Sequence, residues 1–255
     1  MKRIFSILSL ALLLSFSANA QLGLAKIGIS AGGDVEKPHG MDLHYLLSTA
    51  NGADFNAEGI SLGEGEIQGM QCDNGSSRLT IALAPPLTDN VEWRVSLFGM
   101  SDRIDQVNYK NAATNESLIV KATSNEVGLE GVYLRKNRLA KWITVYGGAG
   151  INTGYSYGGK VQVTYQRVES PAVVLPNDVP SAPEKIIETV DVYDQKNGVA
   201  QRVFLQGGFG IHFLKRMEFS IEFRKGLGYR ANFGGPFNFT TMKQSSLIGI
   251  KYSLF

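Results

Sequence analysis

Two of the three histidines lie in one N-terminal segment with acids and a serine: Asp34, Glu36, His39, Asp42, His44 and Ser48. A serine that a histidine activates and an acid orients is a nucleophilic catalyst. The same acids and histidines could instead bind a metal ion. Their spacing matches no closed metal site, and no predicted strand brings the serine within hydrogen-bonding reach of a histidine. We therefore predict no catalytic residues, no metal site and no cofactor.

The remaining chemistry-bearing residues are interpreted as structural. His212 follows Gly210 on the inward side of a predicted strand, so we expect a hydrogen-bonded interior histidine. Cys72 is the only cysteine in the sequence, which excludes an intramolecular disulfide and indicates a lone thiol in a loop. The glycine-rich run at 147–150 is followed by neither a helical pattern nor the lysine of a phosphate-binding loop.

Export is predicted from the first twenty residues. Lys2 and Arg3 precede an apolar run at 4–16, and Ala18 and Ala20 supply the small residues of a cleavage site. We expect residues 1–20 to be a signal peptide and residues 21–255 to be one β domain. Without the leader, 23 basic residues balance 23 acidic ones. A balanced charge gives no basis for binding nucleic acid.

The elements that position these residues are strands, because apolar side chains alternate with charged or small ones along most of the chain. From Met217 to Tyr229 the odd positions are mostly apolar or aromatic, and the even positions are charged, small or glycine. Eight strands are predicted in this way, at 22–32, 77–84, 91–107, 118–134, 141–165, 186–213, 217–229 and 243–255.

Short and long connections alternate between these strands. The short ones lie at 85–90, 135–140 and 214–216, and the long ones at 108–115, 166–185 and 231–242. This is typical of outer-membrane barrels, which have short periplasmic turns and longer outer loops. It places both ends of the mature chain in the periplasm. Residues 33–76 are too many for an ordinary connection, so we expect an extended outer loop or a further strand or short helix at 41–48.

The alternation fits two folds that place the charged face on opposite sides. A soluble β-sandwich buries its apolar face, whereas a membrane barrel turns that face to lipid and encloses the polar one. An apolar face on nearly every predicted strand, aromatic residues near strand ends and unusually long strands favour the second fold. We predict an all-β, closed, antiparallel, up-and-down transmembrane β-barrel.

An eight-stranded barrel has room inside only for side chains, so the charged face would fill it. Both signs of charge are interleaved in the predicted interior set: Arg78, Glu92, Arg94, Glu126, Glu130, Arg202, Gln206, Glu218, Glu222 and Arg224. Buried charges must pair, and this predicts a salt-bridged plug in place of an open pore. Glycines at 147, 148, 150, 207, 208 and 210 would leave space for the long charged side chains.

In these features the mature chain resembles the small outer-membrane β-barrels of the OmpA/OmpX type. The resemblance covers nearly the whole mature chain and rests on architecture, without a diagnostic motif. The last strand ends on Phe255, as the assembly signal of that family does, although Ile250 and Tyr252 lie on the opposite face from Phe255. The resemblance implies the outer membrane of a Gram-negative bacterium, with outer-membrane lipid and the barrel-assembly machinery as partners.

We expect a non-enzymatic structural or surface-interaction barrel whose outer loops, mainly 33–76 and 166–185, carry any extracellular ligand. Two alternatives stay open. One is a lipid-modifying enzyme of the outer membrane, with His39 or His44 at the outer rim beside Ser48. The other is a soluble periplasmic β-protein that binds an apolar ligand.

Overall fold

The computed structural model describes residues 26–39, 43–51, 74–84, 86–88, 90–111, 116–169, 185–235 and 237–254. The predicted signal peptide, Asp42, Cys72 and Phe255 lie outside these residues, as do 52–73 and 170–184 of the two predicted loops. Within the described ranges, no helix is long and apolar enough to cross a membrane.

The described residues form ten strands and one short helix. In chain order they are β1 (Lys26–Pro38), α1 (Leu43–Ser48), β2 (Asn74–Ala84), β3 (Pro86–Thr88), β4 (Val91–Asn111), β5 (Glu116–Ala140), β6 (Ile143–Glu169), β7 (Lys185–Asp194), β8 (Gly198–Leu214), β9 (Met217–Asn232) and β10 (Phe237–Ser253). The short helix anticipated within 41–48 is α1.

Eight of these strands close into an antiparallel barrel. Their order around the barrel is β1, β2, β4, β5, β6, β8, β9 and β10, and β10 pairs again with β1. The pairing of β2 with β4 closes the ring, with Leu83 opposite Val95 and Ser77 opposite Ser101. β3 is a short addition beside β4, and β7 pairs with β6. The predicted all-β, closed, eight-stranded, up-and-down barrel is confirmed.

Several predicted connections are wrong because strands continue through polar residues. β5 runs on to Ala140, so 135–140 is strand and the turn is Lys141 and Trp142. Only residues 233–236 separate β9 from β10, so the long outer loop predicted at 231–242 is a tight turn. The strand predicted at 186–213 is divided into β7 and β8. The backbone supplies the hydrogen bonds of a ladder, which therefore extends beyond the apolar pattern.

Four strands extend past the barrel as a projecting sheet. It consists of residues 103–111 of β4, 116–124 of β5, 160–169 of β6, and β7. Helix α1 covers one face, where Leu46 packs in a buried cluster with Val107, Val120 and Val161. Tyr45 lies partly buried against this cluster, and burial raises the pKa of its hydroxyl, as does the charge of Asp105. We call this sheet with α1 the outer platform.

Irregularities at one level mark the change from barrel to platform. Asp102 in β4 has a φ of 54°, and the β4–β5 register shifts beside it. Gly158 in β6 has a φ of 60°, and the β5–β6 register shifts there. Residues 195–197 separate β7 from β8 at the next strand. A bulge exchanges the two faces of its strand, so inward residues of β4 change from even to odd numbers.

Candidate functional site

The barrel interior contains two clusters of paired charges. The cluster nearer the short turns centres on Glu222, whose Oε1 accepts hydrogen bonds from Arg94 Nη1 at 2.7 Å, Tyr146 Oη at 2.9 Å and Lys251 Nζ at 3.0 Å. Arg94 also donates from Nη2 to Glu92 Oε1 at 2.9 Å. All five side chains are buried. We call this group the inner charge cluster.

Further pairs extend the inner charge cluster around the barrel. Lys26 Nζ donates to Glu218 Oε2 at 2.9 Å, which ties the first strand to β9. Arg224 Nη1 donates to Glu130 Oε2 at 2.7 Å, and its guanidinium lies 4.9 Å from the ring centroid of Phe204. Opposite charges and a ring face thus compensate the charges of these groups, as burial requires.

The second group, the outer charge cluster, lies toward the platform and centres on Arg202. Its guanidinium binds Glu126 in a bidentate manner, with 2.6 Å from Nη1 to Oε1 and 2.8 Å from Nη2 to Oε2. Its Nε donates to Glu36. Arg230 donates to Glu36 Oε2 at 2.7 Å and to Asp105 Oδ2 at 3.3 Å. Side chains from β1, β4, β5, β8 and β9 are therefore joined across the barrel.

Interior glycines make room for these side chains. A Cβ at Gly228 would lie 2.7 Å from Arg202 Cγ, and one at Gly226 would lie 2.7 Å from Phe204 Cβ. The buried Phe204 packs with Val132 and other apolar residues in the same interior. The same Cβ atoms would lie 2.3 Å from the backbone oxygens of Gln201 and Val203, respectively. Glycine is required at these two positions because any larger residue would displace the neighbouring strand as well as a packed side chain.

The barrel exterior is apolar. Exposed apolar residues cover the wall: Ile29, Val95, Leu97, Val127, Leu129, Ile151, Val203, Leu205, Leu227, Ile248 and Ile250. Lys225 and Gln244 interrupt this surface, and a lysine stem can extend its charge toward an interface. This distribution, with apolar residues outside and charged residues inside, is the reverse of that in a soluble protein. It is the pattern of a barrel that spans a bilayer.

Aromatic residues flank the apolar wall at both ends. Near the platform, Tyr155 stacks on Tyr157 with ring centroids 6.3 Å apart, and Phe237 lies 5.1 Å from Tyr229. Toward the short turns, Tyr133, Trp142, Phe213 and Tyr252 are exposed. Such girdles mark the two interfaces of a membrane, where amphipathic rings are favoured.

The predicted interior residues are distributed between the two charge clusters. Buried in the barrel are Glu92, Arg94, Glu126, Glu130, Arg202, Gln206, Glu218, Glu222 and Arg224. Gln206 Nε2 donates to Glu222 Oε2 at 2.9 Å, which places it in the inner charge cluster. Arg78 lies on β2 opposite Gly32, and its side chain is outside the described residues.

Sequence reasoning missed six buried members of the two clusters or their surroundings and the partly buried Lys26. The six are Glu36, Arg103, Asp105, Tyr146, Arg230 and Lys251. Lys26 and Arg230 lie on the small or charged face of their strands, so the alternation of the sequence already places both on the inward side. Arg103 and Asp105 are different, because the bulge at Asp102 reverses the faces of β4. Glu36 was grouped with the N-terminal histidines, whereas β1 carries it into the barrel.

The residues considered for catalysis are engaged elsewhere in the described part of the chain. The Ser48 hydroxyl donates to the carbonyl of Tyr45 at 2.6 Å, within its own helix. The backbone N–H of His39 donates to Phe239 at 2.7 Å, and its side chain is exposed. His212 Nε2 lies 3.0 Å from Thr144 Oγ1. The side chain of His44 lies outside the described residues, and no group of three potential metal ligands occurs within them.

Comparison with known proteins gives likeness in fold alone. No family model and no curated protein matches the chain. Ail, the attachment invasion locus protein of Yersinia pestis, is 8% identical, with 91% of this chain and 100% of Ail covered. The TM-score is 0.31 for Ail in complex with the heparin analogue sucrose octasulfate and 0.32 for Ail in a second structure.

The outer membrane protein OprG from Pseudomonas aeruginosa is 10% identical, with a TM-score of 0.42 and coverage of 91% of this chain and 96% of OprG. Both proteins are barrels of the small outer-membrane type that the sequence resembles. At such low identity these likenesses say nothing of function, and the barrel itself is defined by its own strand pairing.

Proposed function

We propose that this chain is a non-enzymatic, non-conducting barrel of the outer membrane that presents a rigid platform for recognition at the cell surface. The observation that carries the proposal is the outer platform. Four paired strands leave the barrel together, and α1 seals one face of them with a buried apolar cluster. Recognition surfaces are commonly irregular loops on a scaffold. Here the scaffold itself extends outward.

The orientation follows from the two ends of the barrel. The platform and the turn at 233–236 are at one end. The short turns at Lys141–Trp142 and Lys215–Arg216, and the paired residues Lys26 and Ser253, are at the other. Short turns and both chain ends lie in the periplasm in barrels of this class. The platform therefore faces the outside, and the apolar wall contacts outer-membrane lipid.

The uncovered face of the platform has the chemistry of a polar recognition surface. Gln106, Lys121 and Gln162 lie side by side across three strands, with the exposed Val192 next in the row. Amide and ammonium groups suit hydrogen-bonding or anionic partners, and a preformed sheet loses little conformational entropy on binding them. The extracellular ligand is expected here as well as on the flanking residues of 33–76 and 166–185.

A non-conducting interior follows from the density of paired side chains inside. The inner and outer charge clusters and Phe204 occupy the barrel across its section, and eight strands leave space only for side chains. We expect purified protein in planar bilayers to show no steady ion current. A stable conductance that scales with salt concentration would contradict the plug.

Surface display is tested by cysteine labelling on intact cells. In a Cys72→Ser background, Val192→Cys should react with a membrane-impermeant maleimide because it is exposed on the platform. Lys215→Cys is the matched control on a short turn and should react only after the cells are permeabilised. Labelling of Lys215→Cys on intact cells with protection of Val192→Cys would invert the orientation and overturn the proposal.

Recognition is tested with two immobilised polysaccharides, the polyanion heparin and neutral dextran. Cells that display the protein should be retained on at least one of them, and Gln162→Ala with Lys121→Ala should weaken retention. The matched control is Lys215→Ala, which leaves the platform unchanged. Retention of the platform variant equal to that of the unaltered protein, or retention of the unaltered protein no greater than that of cells without it, would contradict a recognition role for this face.

A further inference from the structure

A cavity of about 590 Å³ opens on the barrel wall near the short turns, and its lining reaches inward to Tyr146 of the inner charge cluster. Asn90, Arg135, Asn137 and Gly147 are among the residues that line it. Arg135, Asn137 and Gly147 are all exposed and lie on the outward faces of β5 and β6. The cavity therefore joins the apolar wall at the periplasmic interface, given the proposed orientation.

Basic groups surround this cavity. Arg135 is exposed on its rim, and Lys136, which binds Glu92 at 2.5 Å, lies beside it. Lys141 is exposed on the adjoining short turn, which links β5 and β6. A cluster of cations at this depth attracts the anionic head groups of a membrane leaflet.

Glycines form the floor of the cavity and of the surface groove that continues from it, although no neighbouring atom excludes a larger side chain there. Gly147 on β6 pairs with Gly207 on β8. A Cβ at Gly147 would come no closer than 3.7 Å to a neighbouring atom, and one at Gly207 no closer than 4.0 Å. The interior of the barrel therefore does not demand glycine at either position. The same row continues from Arg135 through both glycines to Phe223, an exposed apolar residue.

We propose that this cavity binds one anionic phospholipid of the periplasmic leaflet. The phosphate of the head group binds Arg135 with the amides of Asn90 and Asn137, and an acyl chain lies over Gly147 and Gly207 toward Phe223. The volume lies within the range of small-molecule sites. The inference rests on the proposed membrane orientation and adds a defined lipid to the general lipid contact of the wall.

The experiment measures retained lipid by native mass spectrometry of the purified full chain in mixed micelles. The probes are phosphatidylglycerol, phosphatidylcholine and glycerol 3-phosphate. We expect one phosphatidylglycerol to be retained in preference to phosphatidylcholine, and Arg135→Gln to weaken its binding roughly fivefold, as loss of about one interfacial cation predicts. Gly147→Leu, which fills the groove, should reduce retention of phosphatidylglycerol and leave the barrel folded.

Matched controls are Lys215→Gln, a cation on another short turn, and Gly131→Leu, an outward glycine with nothing within 4 Å of a built Cβ. Both should bind phosphatidylglycerol as the unaltered protein does. Equal retention of the two lipids, equal loss in the controls, or full competition by glycerol 3-phosphate would overturn the lipid site. Folding in phosphatidylcholine vesicles is measured in parallel. If the chain folds in these vesicles but shows no lipid preference, only the lipid site is refuted. If the chain does not fold in them, the membrane barrel is refuted as well.

Discussion

At the scale of single residues, Arg202 holds the outer charge cluster together. It binds Glu126 through two hydrogen bonds and Glu36 through a third, and all three side chains are almost fully buried. A buried ion pair is costly to break from one side, because the remaining charge stays desolvated. The removal of one member of this cluster is therefore expected to be strongly destabilising.

Replacing Arg202 tests this directly. Arg202→Met removes the charge and leaves Glu126 and Glu36 buried, so we expect the free energy of unfolding to fall by about 3–5 kcal/mol. The control is Lys160→Met, which breaks the exposed pair between Lys160 and Asp194 and should cost no more than about 1 kcal/mol. Urea unfolding in phosphatidylcholine vesicles measures both. Equal losses would mean that the interior is hydrated and the cluster is not buried.

The sequence could place individual residues only where a strand keeps its period. On β9 the inward Glu218, Glu222 and Arg224 follow from alternation alone. On β4 the alternation places Glu92 and Arg94 but fails beyond Asp102, because an aspartate gives little sign of a left-handed backbone and the faces reverse there. Which charges pair across the barrel depends on strand order and register, which no local pattern contains.

At the scale of elements, the bulge of β4 lies where the strand passes from the barrel into the platform. Asp102 has a φ of 54°, a conformation that aspartate tolerates and that β-branched residues rarely adopt. Its side chain is exposed, so a substitution there acts through the backbone.

Two substitutions at Asp102 should therefore change the free energy of unfolding by amounts that differ in sign or size. We expect Asp102→Val to lower the free energy of unfolding by about 1–2 kcal/mol, and Asp102→Gly to leave it unchanged or slightly higher. Limited proteolysis of the platform on intact cells should accelerate for the valine variant alone. Equal behaviour of the two variants would show that this bulge does not set the platform.

Interior glycines give a second prediction for the elements. Gly228→Ala places a Cβ 2.7 Å from Arg202 Cγ, so we expect a loss of about 1–3 kcal/mol from overpacking. Gly131→Ala is the control, because nothing lies within 4 Å of a Cβ built there. Urea unfolding compares the two. A loss in the control as large as in Gly228→Ala would mean that the effect does not arise from the packed interior.

Element boundaries were predictable only in part. Alternation located every strand of the barrel, but the ends were misplaced where polar residues continue a ladder, as in the hairpin of β9 and β10. α1 was expected only as one of three possibilities, beside a strand and an extended loop, since six residues carry too little helical period to decide. The platform was not predicted as a separate feature. Most of its residues lie within the strands predicted at 91–107, 118–134, 141–165 and 186–213, and no local pattern marks where these strands leave the barrel.

At the scale of the whole molecule, the decisive property is the inversion of polarity between wall and interior. Ile248 illustrates the wall, since it is 55% exposed and pairs with Ile221 on one side and Ala31 on the other. In water, the substitution of such an exposed residue by a charged one would be tolerated. In a bilayer the same substitution is unfavourable.

We expect Ile248→Arg to make folding into vesicles less favourable by about 2–4 kcal/mol, which is the cost of a charge on the lipid face near the membrane midplane. Val192→Arg is the matched control, an exposed valine of the platform outside the membrane, and should have no such effect. Folding yield into phosphatidylcholine vesicles distinguishes the two. An unchanged yield for Ile248→Arg would mean that this wall does not contact lipid.

The measurement that tests the membrane barrel most directly is electrophoresis of the washed outer-membrane fraction in denaturing detergent, with and without boiling. A closed barrel that resists detergent when cold should migrate at one position unheated and shift to another after boiling, while remaining in the membrane pellet. Recovery of the protein in the soluble periplasmic fraction, with the same mobility before and after boiling, would contradict a barrel that spans the membrane.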